Sequence, residues 1–359
     1  MKYLLPVILS LLFLGLAVAQ TPPAKPLSQS EYVKMLYEIQ KSPAKASELI
    51  EAVRARGIAF ELTDGLRGLT RSKSANNEEL KRALEEAARR RADPEAARLP
   101  DRKEAENALA KSREATLAAV EEMPDFVVKQ QIQRAAAYAG TNNFRNLDRL
   151  VVAVSYRAEG SEEYRLLSLN GVQQANPQSK NSYQEVGGTS STGEFVTVLA
   201  KIFKPESETK FEIVDTGLVR GRRALVFSYS IEREKARQAL TSVGSFTEST
   251  ITGMRGQIWI DRENFRVLRI ESEATEIPEN FPIRAARRVI DYDWVTISGE
   301  QYLLPALSDV RLTLRENRQF FETRNLIRFR EYQKYGSEVR ILDGDEDEVT
   351  LPEEQKPQP

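Results

Sequence analysis

Residues Arg255–Ala274 read RGQIWIDRENFRVLRIESEA, and their period is two. Apolar and polar residues alternate on both sides of a polar break at Asp261 to Asn264, the pattern of a β-hairpin with one buried face. The same grammar extends in both directions. Downstream, RVIDYDWVTISGEQYLLP turns at Ser298-Gly299, and DVRLTLRENRQFFETRNLIRFREYQKY turns at Arg315 to Asn317. Upstream, KFEIVDTGLVRGRRALVFSYSIE turns at Arg220-Gly221-Arg222, and RLVVAVSYRAEGSEEYRLLSLNG turns at Glu159-Gly160-Ser161. DFVVKQQIQ sets Phe126, Val128 and Ile132 on one face. Six hairpin-like units in succession predict a large antiparallel sheet that curls into a barrel or part-barrel, and with its helices the chain reads as α+β.

Two helical segments accompany the sheet. Residues 102–123 place Ala105, Leu109, Ser112, Thr116, Ala119 and Met123 at steps of four and three. These side chains are small, so the helix is expected to pack closely through a shallow face. The second segment is GGTSSTGEFVTVLAKIF, Gly187–Phe203. From Gly188 it has the glycine spacing of a phosphate loop, but Glu194 and Phe195 stand where lysine and a hydroxyl are needed, and Glu194 would repel phosphate. Ser191 and Glu194 instead form S-x-x-E, which predicts a capping box opening a helix over 193–203. Phe195, Val198, Leu199, Ile202 and Phe203 then make its apolar stripe.

Ahead of the sheet lies an all-α module over 30–92. Its signals are a capping box at Ser28/Glu31, a restart at Ser42-Pro43, a stop at Gly57, an opening at Thr63-Asp64 and a cap at Asn77. Arg89, Arg90 and Arg91 end the last helix, where the macrodipole favours cations. Residues 93–101 read as a linker and 343–359 as an acidic, disordered tail. The first 19 residues, one basic side chain followed by an apolar run and Ala17-Val18-Ala19, read as a signal peptide cleaved after Ala19. Residues 20–29 read as a flexible Pro-rich leader. The expectation is a periplasmic or secreted protein with no stable membrane anchor after cleavage.

Of 359 residues none is Cys or His. That excludes disulfides, thiol nucleophiles, Cys/His zinc clusters and imidazole acid–base chemistry. Fifty-two basic residues against 53 acidic ones give a formal net charge of −1 and no reason to expect nucleic acid. Asp343 to Glu354 resemble a calcium loop, but Glu348 replaces the required glycine and Pro352 interrupts it. Asp291 and Asp293 share one strand face, yet one pair on one strand cannot flank a bond from both sides. The chain therefore reads as non-enzymatic, with no catalytic residues, no metal and no cofactor.

Two stretches carry a family resemblance: VEEMPDFVVKQQIQR (Val120–Arg134), a helix end leading into a first strand, and GQIWIDRENFRVLRIESEA (Gly256–Ala274). They resemble the LolA-like periplasmic lipoprotein carriers and their lipid-binding relatives, over about residues 103–335. Tyr183–Phe203 and Gln301–Pro305 are also similar to uncharacterised secreted proteins of environmental bacteria. The LolA-like resemblance implies an open half-barrel over 102–342, with helices covering a concave apolar face that holds acyl chains. On that reading Val128, Ile132, Val152, Val154, Ile258 and Ile260 line a ligand cavity, with Phe195 and Leu199 from the covering helix. The same residues would otherwise be ordinary core, since a one-residue slip exchanges strand faces. The partner expected is a hydrophobic ligand or lipidated protein. The alternative is an envelope scaffold without a cavity, docking a protein partner through residues 30–92.

Overall fold

The computed structural model describes residues 25–95, 97–141, 143–158, 160–174, 183, 186–243, 247–316 and 319–335. The signal-peptide and acidic-tail expectations lie outside the described residues. Within them the chain forms seven α-helices and a twelve-stranded antiparallel sheet that does not close.

The helical module comprises α1 (Gln29–Lys41), α2 (Ala46–Arg56), α3 (Asp64–Lys73) and α4 (Glu78–Ala92). Its starts follow the capping signals: Ser28 and Glu31 cap reciprocally, Thr63 accepts from Leu66 N–H, and Asn77 accepts from Leu80 N–H. Gly57 takes φ +67° to end α2, a conformation that costs other residues a Cβ clash. Tyr32, Leu36, Leu49, Val53 and Leu80 form the module's own core, and Tyr32 hydroxyl bonds Thr70 Oγ1 at 2.7 Å. After the linker, α5 (Arg102–Glu121) buries Ala105, Ala108, Ser112 and Thr116, the shallow face its spacing predicts.

The strands are β1 (Phe126–Tyr138), β2 (Arg145–Tyr156), β3 (Glu162–Leu169), β4 (Val172–Gln173), β5 (Lys210–Val219), β6 (Arg222–Ile231), β7 (Gln238–Val243), β8 (Thr247–Asp261), β9 (Val267–Thr275), β10 (Ile283–Ile297), β11 (Glu300–Glu316) and β12 (Gln319–Lys334). The helices α6 (Val196–Phe203) and α7 (Arg233–Ala236) interrupt them. The sheet order is β4-β3-β2-β1-β12-β11-β10-β9-β8-β6-β5, with β7 paired to β8 off that path. Tight turns at Arg220-Gly221 and Ser298-Gly299 have positive φ at both central residues, which matches the twist of the flanking strands.

Three elements differ from the sequence expectation. Pro305 does not separate two strands: β11 runs unbroken from Glu300 to Glu316, and Pro305 faces Tyr292 where the β10–β11 register shifts. Proline is tolerated in a strand at such irregularities, and Pro305 carbonyl accepts from Tyr332 hydroxyl at 2.6 Å. β7 was not expected, its residues QALTSV being too polar to stand out. Finally, α6 begins at Val196, with Phe195 rather than Ser191 in the N-cap position. Ser191 hydroxyl bonds the Glu194 carboxylate, but neither residue caps the helix. Gly193 instead adopts φ +75° and donates its N–H to Tyr164 hydroxyl at 3.0 Å and to Glu162 at 3.1 Å. Attachment of this segment to β3 overrides the local capping preference.

The module docks on the outer face of β5, β6, β8 and β9 through α4. Asp215 of β5 receives Arg90 at 2.7 Å and Arg54 at 3.4 Å. Buried Glu86 receives Arg223 at 2.9 Å and Arg89 at 2.7 Å, and Thr216 hydroxyl also donates to it. Burial opposes ionisation of Glu86, but these donors outweigh it and its pKa falls. Arg82 pairs with Glu271 at 2.8 Å and stacks over Trp259 at 5.3 Å. Arg90 thus has a fixed intramolecular partner as well as a favourable helix position.

Candidate functional site

The inner face of the sheet divides into a part packed under helices and a part that lines a groove. Beneath α5 and α6, Ile258, Ile260, Ile270, Ile290, Leu199 and Phe203 pack into one buried cluster. Beside it, Phe126, Val128, Ile132, Val152, Val154 and Phe195 pack into a second. Phe126 stacks on Tyr156 at 4.8 Å and meets Phe195 edge-on at 5.4 Å, while Phe195 meets Phe329 at 5.6 Å. The residues expected to line a cavity thus occupy the apolar inner face, each at most 5% exposed. None of them borders the large groove of this fold.

That groove, with a volume of about 860 Å³, lies further along the same face. Its floor is Ile283 and Ala286 of β10, Val310, Leu312 and Leu314 of β11, and Met254 of β8. One wall is β7 and another is α6, through Val198 and Lys201. The third is Gly187–Gly193, which crosses the sheet as an extended strap. Side chains from four strands fix the strap. Asn325 amide donates to Thr189 carbonyl at 2.8 Å, Thr189 and Thr323 hydroxyls bond at 2.8 Å, and Arg288 donates to Thr192 carbonyl at 3.2 Å. Arg134 donates to Gly187 carbonyl while holding Asp148 with two bonds. A Cβ at Gly188 would meet Arg134 Nη1 at 2.9 Å, so the glycine is needed for this approach.

Where the strap runs into α6 it inserts a carboxylate into the apolar layer. Glu194 is fully buried; burial pushes its pKa up, opposed by the charge of Arg288 and the Ser191 hydroxyl bond. Glu162 is also raised, first by burial, with Glu194 adding repulsion. Gln130, Ser308, Tyr292 and Glu194 each keep a buried polar atom without a hydrogen-bond partner among the described residues. Such atoms normally have a protein or water partner.

The groove's lining contains Arg134, Lys201, Arg287 and Arg288 and no Asp or Glu. No sequence motif pointed to these positions, because the chain contributes them from distant segments. Asp291, weighed as a carboxylate candidate, pairs with Arg269 at 2.6 and 2.8 Å, and Asp293 lies 3.7 Å from Arg220. Among the described residues no three metal-ligating side chains gather into a potential metal site. Nor is any helix among them long and apolar enough to cross a membrane.

No family model matches the chain, and no curated protein matches it. Among solved structures, a DUF1329 family protein from Desulfovibrio piger aligns at 9% identity over 65% of this chain and 95% of that one, with a TM-score of 0.27. The MucA/MucB complex of Pseudomonas aeruginosa aligns at 9% identity over 62% of this chain and 94% of that one, with a TM-score of 0.18. Likeness at these scores carries no argument about family or function.

Proposed function

We propose that this chain is an exported, non-enzymatic protein of the bacterial envelope that holds a lipid, acyl chain or other hydrophobic ligand in the groove beneath the strap. The observation carrying this reading is the groove's apolar side: Leu312 and Leu314, half-buried beside buried Ile283 and Val310, continue the apolar inner face and line the groove. The volume of about 860 Å³ is within the roughly 300–1,000 Å³ of small-molecule sites. Leu147 and Val243, 62% and 79% exposed, border the groove and extend its apolar surface to solvent. The LolA-like sequence resemblance and the signal-like N-terminus are compatible with this role. The scaffold alternative has less support, because α4 of the module is engaged by the chain's own sheet.

The test is native mass spectrometry of the protein purified from a membrane-bearing host, with organic extraction of what it carries. The reading expects an extractable hydrophobic adduct, or uptake of a hydrophobic probe by protein freed of it. A ligand-free protein that takes up no such probe overturns it.

A further inference from the structure

We infer that the groove selects an acyl-chain amphiphile with an anionic head, and that Arg288 and Lys201 receive that head. This inference rests on the groove being a ligand site and specifies what enters it. The four cations of the lining differ in how far they are satisfied. Arg134 is committed to Asp148 at 2.5 Å, and Arg287 lies 3.6 Å from Glu273. Arg288 and Lys201 make no ion pair among the described residues. Arg288 spends one nitrogen on the strap carbonyls of Thr192 and Gly193, at 3.2 and 3.5 Å, leaving further guanidinium donors for a ligand.

Lys201 extends from α6 into the same lining. Burial first, and then repulsion from Arg288, lowers its pKa, so the two cations face a common space. Glu194 and Glu162 both feel Arg288 electrostatically. Each is itself held back from ionisation by burial, and neither comes within ion-pair distance of Arg288 or Lys201 among the described residues. Two part-buried cations beside an apolar floor match a carboxylate or phosphate joined to a hydrocarbon tail. The head would gain charge-assisted hydrogen bonds, and the tail would cover Leu312 and Leu314. A neutral lipid would leave the cations uncompensated.

The experiment titrates the full chain with a fluorescent polyene fatty acid and with its methyl ester, which share one tail. The acid is expected to bind at least about tenfold more tightly than the ester, as charge-assisted bonds imply. That preference should collapse in K201Q/R288Q and shrink in K201Q, a change on a helix surface that leaves the strap contacts intact. Inorganic phosphate in excess should not displace the acid. Equal binding of acid and ester overturns this inference while leaving a hydrophobic site in place; binding of neither overturns the site itself. An acid preference that survives K201Q/R288Q, or full displacement by phosphate, also contradicts it.

Discussion

The two parts of the inner face have the same alternating strands and opposite fates. Under α5, α6 and Phe195, Val128 and Ile258 meet side chains from above and are sealed. Under the strap, Leu312 and Leu314 of the same sheet are only half-buried, packed beside Leu240, Ile283 and Ala286, and line the groove. Strand pattern therefore determines which side of a sheet is apolar, while the covering element decides whether that side is core or site. A helix delivers a dense row of side chains onto the floor. A glycine-rich strap delivers backbone and short hydroxyls, held by hydrogen bonds at its edges, and leaves a groove over a partly buried floor.

The largest expected contrast is in stability. Phe126→Ala removes a buried ring with aromatic neighbours and should cost about 3–5 kcal/mol. Leu314→Ala, on the groove floor, should cost less, about 1 kcal/mol, because that side chain is only partly buried. Urea denaturation reads both, and similar costs would erase the distinction between core and groove. Next comes the other covered face, where the helical module sits. Asp215→Ala leaves Arg54 and Arg90 without their shared carboxylate and should cost about 2–3 kcal/mol, somewhat less than for a fully buried pair because both arginines retain some water. A change below about 0.5 kcal/mol would mean that these ion pairs do not hold the module.

The pH dependence is a finer test. Glu194 has a folded pKa raised above its unfolded value, so its favourable contribution is complete below the unfolded carboxylate range and disappears as pH rises through the folded pKa. Wild-type stability should thus fall over that window relative to Glu194→Gln, whose side chain does not titrate. Parallel stability–pH curves for the two proteins would remove Glu194 as a source of strain beside the strap.

Much of the fold was legible before the structure. Alternation gave the hairpins, positive-φ turn residues such as Arg220-Gly221 punctuated them, and the caps at Ser28 and Asn77 opened their helices. Val128, Val152, Ile258 and Ile260, read as cavity-lining, lie buried in the inner face but do not border the groove. What escaped depended on long-range contact. Ser191-x-x-Glu194 satisfies the local rule for a cap, but Glu162 and Tyr164 on β3 claim Gly193 N–H, and the helix starts after Phe195. The segments on either side of Pro305 read as separate units, and only pairing with β10 shows β11 running through it at a register shift. The groove was invisible for the same reason: Lys201, Arg288 and Leu312 are separated along the chain and meet only through folding.

The central claim is that the strap-covered end receives a hydrophobic ligand and the helix-covered end does not. Leu312→Trp tests it most directly by filling the floor without disturbing either packed cluster. Titration with an apolar fluorescent probe should show saturable binding to the wild type. In the variant that binding should be lost, while stability stays within about 1 kcal/mol of wild type, since the new ring enters existing space. Undiminished probe binding by a folded Leu312→Trp variant would place the ligand elsewhere and contradict the account.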